Sequence, residues 1–341
     1  MRVKRIIGYI AIVGVLAVLL SSSAPREVSR AATAVSELQQ VDAGFGAVNG
    51  EDFKSHYVTI MWRGTAANYA LYQLLPNDRE TKLGVVTPVE QEPQLFMVTI
   101  NRLKAGLTMA FRVYESDAAG EKLSAEDPGA MIEGVKTLPG QQAAPKLAYW
   151  YRNSSKADFS IKTDGFSDGY QVRAETPKGK ILVDKNVTAP AASGEAASFT
   201  LKPAYHGRVV RVKVRGYVKI GGQKKYGDWS TPYVFASAKK VKMSGYKDAI
   251  KLSGISVTGA KKKEIYISRK EKKGFKLAKT LGSKTTSCKI GKYGDKYIES
   301  DKTYYVRIYY YYKLDGEEHK CAVYDRGKVY VKPTYFYLPV E

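Results

Sequence analysis

From Val210 to Lys219 the chain reads Val-Arg-Val-Lys-Val-Arg-Gly-Tyr-Val-Lys. Even positions are almost all apolar and odd positions almost all cationic. A period of two fits a strand with one buried and one wet face, and it fits no helix. The pattern also recurs. The short run Tyr69–Tyr72 precedes the longer run Met109–Tyr114, Tyr170–Arg173 precedes Val210–Lys219, and Glu264–Ile267 precedes Tyr304–Tyr309. Leu71 to Met109 and Val172 to Val210 each span 38 residues, and Ile265 to Tyr304 spans 39. Each longer run is followed by a hairpin signal: Asp117-Ala-Ala-Gly120, Gly221-Gly222 and Asp315-Gly316. Between these landmarks the unit repeats every 93 to 101 residues, which is tandem domains with their own cores and too long for a solenoid. Helical periodicity is nearly absent after residue 50, so the chain reads as all-β.

The start of the chain reads as an address. Arg2, Lys4 and Arg5 precede an apolar run of 15 residues from Ile6 to Leu20. A spanning helix needs about 20, so the pattern fits a secretory signal peptide over residues 1–34 better than a permanent anchor. Ala32-Thr33-Ala34 and Ser22-Ser23-Ala24 both fit the small-x-small cleavage rule. The alternative is an uncleaved signal anchor, the one route by which a membrane would be a partner.

Seven short strands in about 95 residues make an immunoglobulin-like sandwich. Several segments carry a closer resemblance. Leu103–Tyr114 and Lys302–Ile308 resemble the E–F corner of fibronectin type III domains of bacterial secreted proteins. Val212–Tyr217, Gly221-Gly222 and Tyr226-Gly-Asp-Trp-Ser230 resemble their F strand, hairpin and G strand. Trp62 sits where the family has its B-strand tryptophan. Tyr304 matches the corner tyrosine, whereas Met109 and Val210 hold that slot in the other copies. Val323 stands where the second copy has Trp229. The resemblance covers residues 46 to 335 and implies three tandem immunoglobulin-like (fibronectin type III) β-sandwiches. The expected division is a signal peptide (1–34), a spacer (35–45), domains over 46–138, 143–237 and 238–335, and a C-terminal tail (336–341).

No reaction centre is visible. The three histidines, His56, His206 and His319, fall in three different repeats, so no Ser-His-Asp constellation is indicated. Three His and two Cys supply no zinc-ligand spacing. There is no phosphate loop, because Gly221-Gly222 lies in a hairpin. No paired carboxylates face each other as a glycosidase needs. The expectation is a protein without cofactor, metal or enzyme activity. Cys288 and Cys321 fall in the third repeat, where they are either a disulfide or small core residues. Asn153-Ser-Ser155 and Asn186-Val-Thr188 match the glycosylation tripeptide, which counts only in a eukaryotic secretory route.

Charge carries the sharper hint. The chain has 55 Lys plus Arg against 33 Asp plus Glu, a net +22. Residues 35–142 carry −5, residues 143–237 carry +9 and residues 238–341 carry +14. On the F strands, Arg211, Lys213, Arg215, Tyr217 and Lys219 are expected to share one face, as are Tyr305, Arg307, Tyr309, Tyr311 and Lys313. Residues two apart on a strand stand about 6.8 Å apart, so each row is a basic-aromatic stripe. Such a stripe suits a polyanion or a sugar ring, or it is a solvated sheet face kept soluble by its cations. The leading expectation is a non-catalytic secreted or cell-surface adhesion or spacer protein of bacteria. Its partners would be an anionic cell-wall polymer, a glycan or another surface protein, with no specific nucleic acid. The alternative is an accessory carbohydrate-binding component of an extracellular polysaccharide-degrading system, since the resemblance implies domains that often serve there as spacers.

Overall fold

The computed structural model describes residues 35–48, 54–151, 156–190, 195–201 and 206–333. The signal-peptide reading, the 336–341 tail and the Asn153 tripeptide lie outside the described residues. Within them, strands dominate, with one 3-10 turn at Pro76–Asp78 and no α-helix. Contacts divide the chain into two compact units. One is the chain up to Gly140 with the hairpin Tyr217–Gly227, and the other is Gln141–Gly216 with the chain from Asp228.

The first sandwich is built from β1 (Val35–Gly46), β2 (Ser55–Gly64), β3 (Asn68–Leu75), β4 (Arg79–Val86), β5 (Pro88–Val89), β6 (Glu92–Leu103), β7 (Thr108–Ser116) and β8 (Ala130–Lys136). Its two sheets have the orders β1-β2-β6-β5 and β4-β3-β7-β8. Alternate residues of β2, β3 and β7 turn inward, so Ile60, Trp62, Leu71, Phe111 and Val113 are buried. Trp62 stacks on Phe96 at 5.6 Å between ring centres, and Tyr69 meets both edge-on. Trp62 itself is fully buried on β2.

Residues 35–45, expected as a spacer, are instead strand β1, paired antiparallel with β2 from Val35↔Gly64 to Gly46↔Ser55. Two facts hid it. It is an edge strand with little buried beyond Ala43, and register shifts after Ser36 and Gln40 break its alternation. Its polar residues have structural work. The Gln40 side chain donates to the Lys136 carbonyl (2.7 Å) and accepts from the Lys136 N–H (2.9 Å) on β8, as a backbone strand would.

The second sandwich comprises β9 (Lys146–Tyr151), β10 (Lys156–Ile161), β11 (Gly169–Glu175), β12 (Ile181–Thr188), β13 (Ala197–Leu201), β14 (Val209–Ile220), β15 (Gln223–Tyr226) and β16 (Tyr233–Ala236). Its sheets run β13-β10-β9 and β12-β11-β14-β15, with β16 also on β14. Phe159, Val172, Val212, Val214 and Phe235 lie in one core cluster. Asn186 lies within β12.

The third sandwich has β17 (Lys242–Tyr246), β18 (Ala249–Ser253), β19 (Lys262–Ser268), β20 (Lys276–Gly282), β21 (Ser287–Ile290), the short pair β22 (Lys292–Tyr293) and β23 (Lys296–Tyr297), β24 (Lys302–Leu314) and β25 (Glu317–Lys332). One sheet of order β20-β19-β24-β25-β17-β18-β21 wraps both layers, because β25 pairs in parallel with β17. Gly245 permits that approach, since a Cβ there would stand 2.4 Å from the Tyr330 carbonyl oxygen. Over the described residues the chain is therefore all-β, built as three immunoglobulin-like sandwiches. In each, the short-run and long-run pair read from the sequence lies side by side in the interior of one sheet: β3 with β7, β11 with β14 and β19 with β24.

The join between the second and third sandwiches is tight. Ser237 Oγ (2.6 Å), the Ala238 N–H (3.0 Å) and the Tyr310 hydroxyl (2.6 Å) all donate to the buried Asp325 carboxylate of β25. Val209, Val234 and Ala236 belong to the same core cluster as Ile265 and Val306 of the third sandwich. Hydrogen bonds run both ways between the Gly207–Val209 stretch and Thr258.

Candidate functional site

The F strands set the geometry of the two stripes. On β14, Val210, Val212 and Val214 point into the core, so Arg211, Lys213 and Arg215 stand half-buried on the other face. Tyr217 is buried and Lys219 is exposed. The cations there are engaged. Glu175, 5% exposed at the end of the neighbouring β11, pairs with Lys213 (3.1 Å) and Arg211 (3.6 Å). Arg215 donates to Gln171 Oε1 at 2.7 Å. Arg215, Arg173 and Lys213 crowd the Trp229 ring at 4.4, 4.7 and 5.1 Å from its centre. Arg173 also pairs with Asp184 (2.6 Å). A cation over a tryptophan face contributes about 0.5–2 kcal/mol. The stripe thus sits in a network of its own sheet.

The third sandwich repeats this with tyrosines. Tyr304, Val306, Ile308, Tyr310 and Tyr312 of β24 point inward, while Tyr305, Arg307, Tyr309 and Tyr311 are half-buried on the outer face and Lys313 is exposed. The Tyr311 hydroxyl (2.5 Å) and the Tyr266 hydroxyl (3.0 Å) donate to Glu264, which also pairs with Lys262 (3.2 Å). Lys262 reaches Glu318 as well (2.5 Å). Lys320 caps the Tyr309 ring at 3.6 Å, and Tyr309 packs against Tyr266 and Tyr324. Arg307 lies 3.7 Å over Phe275. Burial pushes the Glu264 carboxyl up. The bonds from Tyr311, Lys262 and Tyr266 outweigh it and hold the group below the usual carboxylate range. Burial and the bond to Glu264 push the Tyr311 phenol up.

The first sandwich has the same arrangement, and nothing in its sequence announced it. Glu80 on β4 accepts from the Tyr114 hydroxyl (2.7 Å) and Arg112 (2.8 Å), and pairs with Lys122 (3.3 Å). Lys122 lies 3.4 Å over the Tyr114 ring. Glu80, Glu175 and Glu264 therefore play one part in three sheets: a carboxylate in the F-strand sheet around which cations gather, on β4 two strands from β7 and on β11 and β19 beside β14 and β24. Arg112 and Tyr114 share a face by the period of two. The partner carboxylate depends on cross-strand register, which the sequence does not display.

The three histidines lie in three different sandwiches. His56 packs on Phe45, His319 on Tyr312, and burial lowers the nearly buried His206 imidazole while Asp325 opposes it. Among the described residues no group of three or more His, Cys, Asp and Glu gathers to hold a metal. Cys288 on β21 and Cys321 on β25 are free thiols, Cys321 within the core cluster and Cys288 half-buried against it. Burial pushes the Cys321 thiol up to about 12 and raises Cys288 too, which leaves little thiolate at neutral pH.

No protein-family model and no curated protein matches the chain. Among solved structures it is similar to the FN1–FN3 domains of chicken CNTN1, with 14% identity, 86% of this chain and 99% of that chain covered, and a TM-score of 0.27. It is similar to a segment of two fibronectin type III domains from chicken tenascin, at 14% identity, 56% and 99% coverage and a TM-score of 0.24. A tetra-tandem repeat in the extending region of a large adhesion protein gives 11%, 80% and 70%, and 0.26. The fold assignment rests on the strand orders.

Proposed function

We propose that the chain is a non-catalytic exported protein of the bacterial surface, an adhesion or spacer module whose second and third sandwiches dock on an anionic envelope polymer. The observation that carries this reading is charge that the protein does not cancel itself. Residues 143–341 carry +23, and the third sandwich has exposed lysines with no carboxylate partner among the described residues. A surplus of one sign attracts polyanions over a Debye length and is screened by salt. The test is retention of the protein on the producing cells across a salt series. The reading expects release as ionic strength rises from about 0.05 to about 0.5 M, where the screening length shrinks several-fold. Retention that does not change with salt contradicts it.

A second reading, a carbohydrate-binding accessory of a polysaccharide-degrading system, is favoured by one place. Tyr297 is 72% exposed beside an open depression of about 850 Å³, which Asp248, Lys292, Glu299 and Ser300 also line. A bare ring with polar groups around it suits a sugar face. Tyr309 and Tyr311 serve that reading less well, because their rings pack on Tyr266, Tyr324 and Lys320. Glycan binding that falls on Tyr297→Ala, at unchanged thermal stability, supports this second reading. Glycan binding unaffected by it counts against it.

A further inference from the structure

Four cations without ion pairs lie together in the third sandwich, three of them on the sheet face opposite the one the alternating F strand marks. The three-stranded half of the third sandwich turns Ile250, Leu252 and Ile290 into the core. Its outer face then carries Lys242 and Ser244 from β17, Lys251 and Ser253 from β18, and Ser287 and Lys289 from β21. All are exposed except the half-buried Ser253. Lys251 stands directly opposite Lys289 across the β18–β21 pair, and Ser253 opposite both Lys242 and Ser287. Lys279 of β20 extends the row, its ammonium donating to the Lys289 carbonyl at 3.4 Å. The row Lys242, Lys251 and Lys289 crosses the strands in steps of about 5–8 Å.

No acid answers it. Residues 238–247 and 249–263 contain no Asp or Glu, and residues 272–294 carry seven lysines and no acid. Among the described residues none of Lys242, Lys251, Lys279 and Lys289 has an ion pair, whereas elsewhere in the same sandwich Lys262 has two and Lys276 has one. Like charges directly opposite on a sheet destabilise it. Lysine on an edge strand guards against aggregation, which accounts for Lys289 on β21. It does not account for Lys251 and Lys242, because β18 and β17 are interior strands of the order β25-β17-β18-β21.

We infer that this lysine-serine face is the docking surface for a linear phosphodiester polymer carrying one negative charge per repeat. The inference rests on the polyanion reading above and gives it an address. The face is flat, so it grips a chain and not a small ligand. Its cations are all lysines, which bind phosphate as point charges and do not impose the bidentate geometry of an arginine fork. Three serines between the lysines keep the surface low and offer hydroxyls to phosphate oxygens. The occupant is thus a chain whose charges recur at the spacing of the lysine row.

The experiment measures binding of the whole protein to a poly(glycerol phosphate) chain at several salt concentrations, with thermal stability recorded for each variant. Lys251→Ser with Lys289→Ser is compared with Lys270→Ser with Lys296→Ser, which removes the same charge from exposed sites elsewhere on the third sandwich. The expected result is binding at least about tenfold weaker for the first pair, and a slope of log affinity against log salt shallower by about 1.4, at about 0.7 for each lost contact. The second pair changes affinity less than about twofold. Equal loss in both pairs overturns the assignment of this face and leaves the polyanion reading standing. Equal affinity of the unmodified protein for polyglutamate of matched charge overturns the phosphodiester choice. No binding of the unmodified protein overturns the polyanion reading itself.

Discussion

The two outer faces of the third sandwich both carry rows of cations and differ in what surrounds them. On the β19-β24-β25 face, Glu264 and Glu318 hold Lys262, and rings cover Arg307 and Lys320. On the β17-β18-β21 face, Lys242, Lys251 and Lys289 have serines for neighbours and no acid. A conspicuous row of cations in a strand is therefore a poor guide to a charged surface. What matters is whether the sheet brings a carboxylate within reach, and a plain run such as Ala-Ile-Lys-Leu-Ser can be the more open one.

The largest effect that sharpens this contrast comes from a third kind of lysine. Lys263 is fully buried and donates to the Gly282 (2.9 Å), Ser283 (3.0 Å) and Thr285 (2.9 Å) carbonyls, closing the turn between β20 and β21. Burial lowers its ammonium below the usual lysine range. Lys263→Met leaves three inward carbonyls without a donor and should cost about 3 kcal/mol, read as a drop in the denaturation midpoint. A loss near zero would mean that this lysine is no more committed than the exposed ones.

Glu264→Gln comes next. It removes the acceptor charge that two tyrosines and Lys262 share, and should cost about 1–2 kcal/mol. Because the folded-state carboxyl is depressed, its contribution is fully present above the unfolded value of about 4.3 and is lost as pH falls through the lower folded value. Denaturation at pH 3 and at pH 6 should therefore show a large gap between wild type and variant at pH 6 and a smaller one at pH 3. A gap that is constant with pH would break the claim that this face is held by a paired carboxylate.

The smallest effect has the opposite sign. Lys251→Ser relieves a like-charge pair, so the midpoint should stay unchanged or rise slightly at low salt, and the gain should vanish near about 0.5 M salt. A clear loss of stability would mean that Lys251 has a partner and that the two faces are alike.

What was legible in the sequence follows the same division. Val210–Ile220 and Tyr304–Tyr312 were readable because a core on one side and water on the other enforce a period of two. Gly221-Gly222 and Asp315-Gly316 were readable because all four residues have positive φ, from 50° to 87°, as a two-residue hairpin requires. β1 was not, since an edge strand with two register shifts keeps no regular alternation. The carboxylate clusters at Glu80, Glu175 and Glu264 were not, because Glu80 reaches Arg112, Glu175 reaches Arg211 and Lys213, and Glu264 reaches Tyr311 only through the register of different strands. Lys251 and Lys289 face each other for the same reason, and they are 38 residues apart in the chain.

Lysine reactivity tests the contrast most directly. Reductive methylation followed by mass spectrometry reads each lysine with and without poly(glycerol phosphate). The account predicts that Lys242, Lys251 and Lys289 react fast in the free protein and are protected when the polymer is added, while Lys262 and Lys213, already paired with Glu264 and Glu175, react slowly and do not change. Protection at Lys262 and Lys213 with none at Lys251 and Lys289 would contradict it.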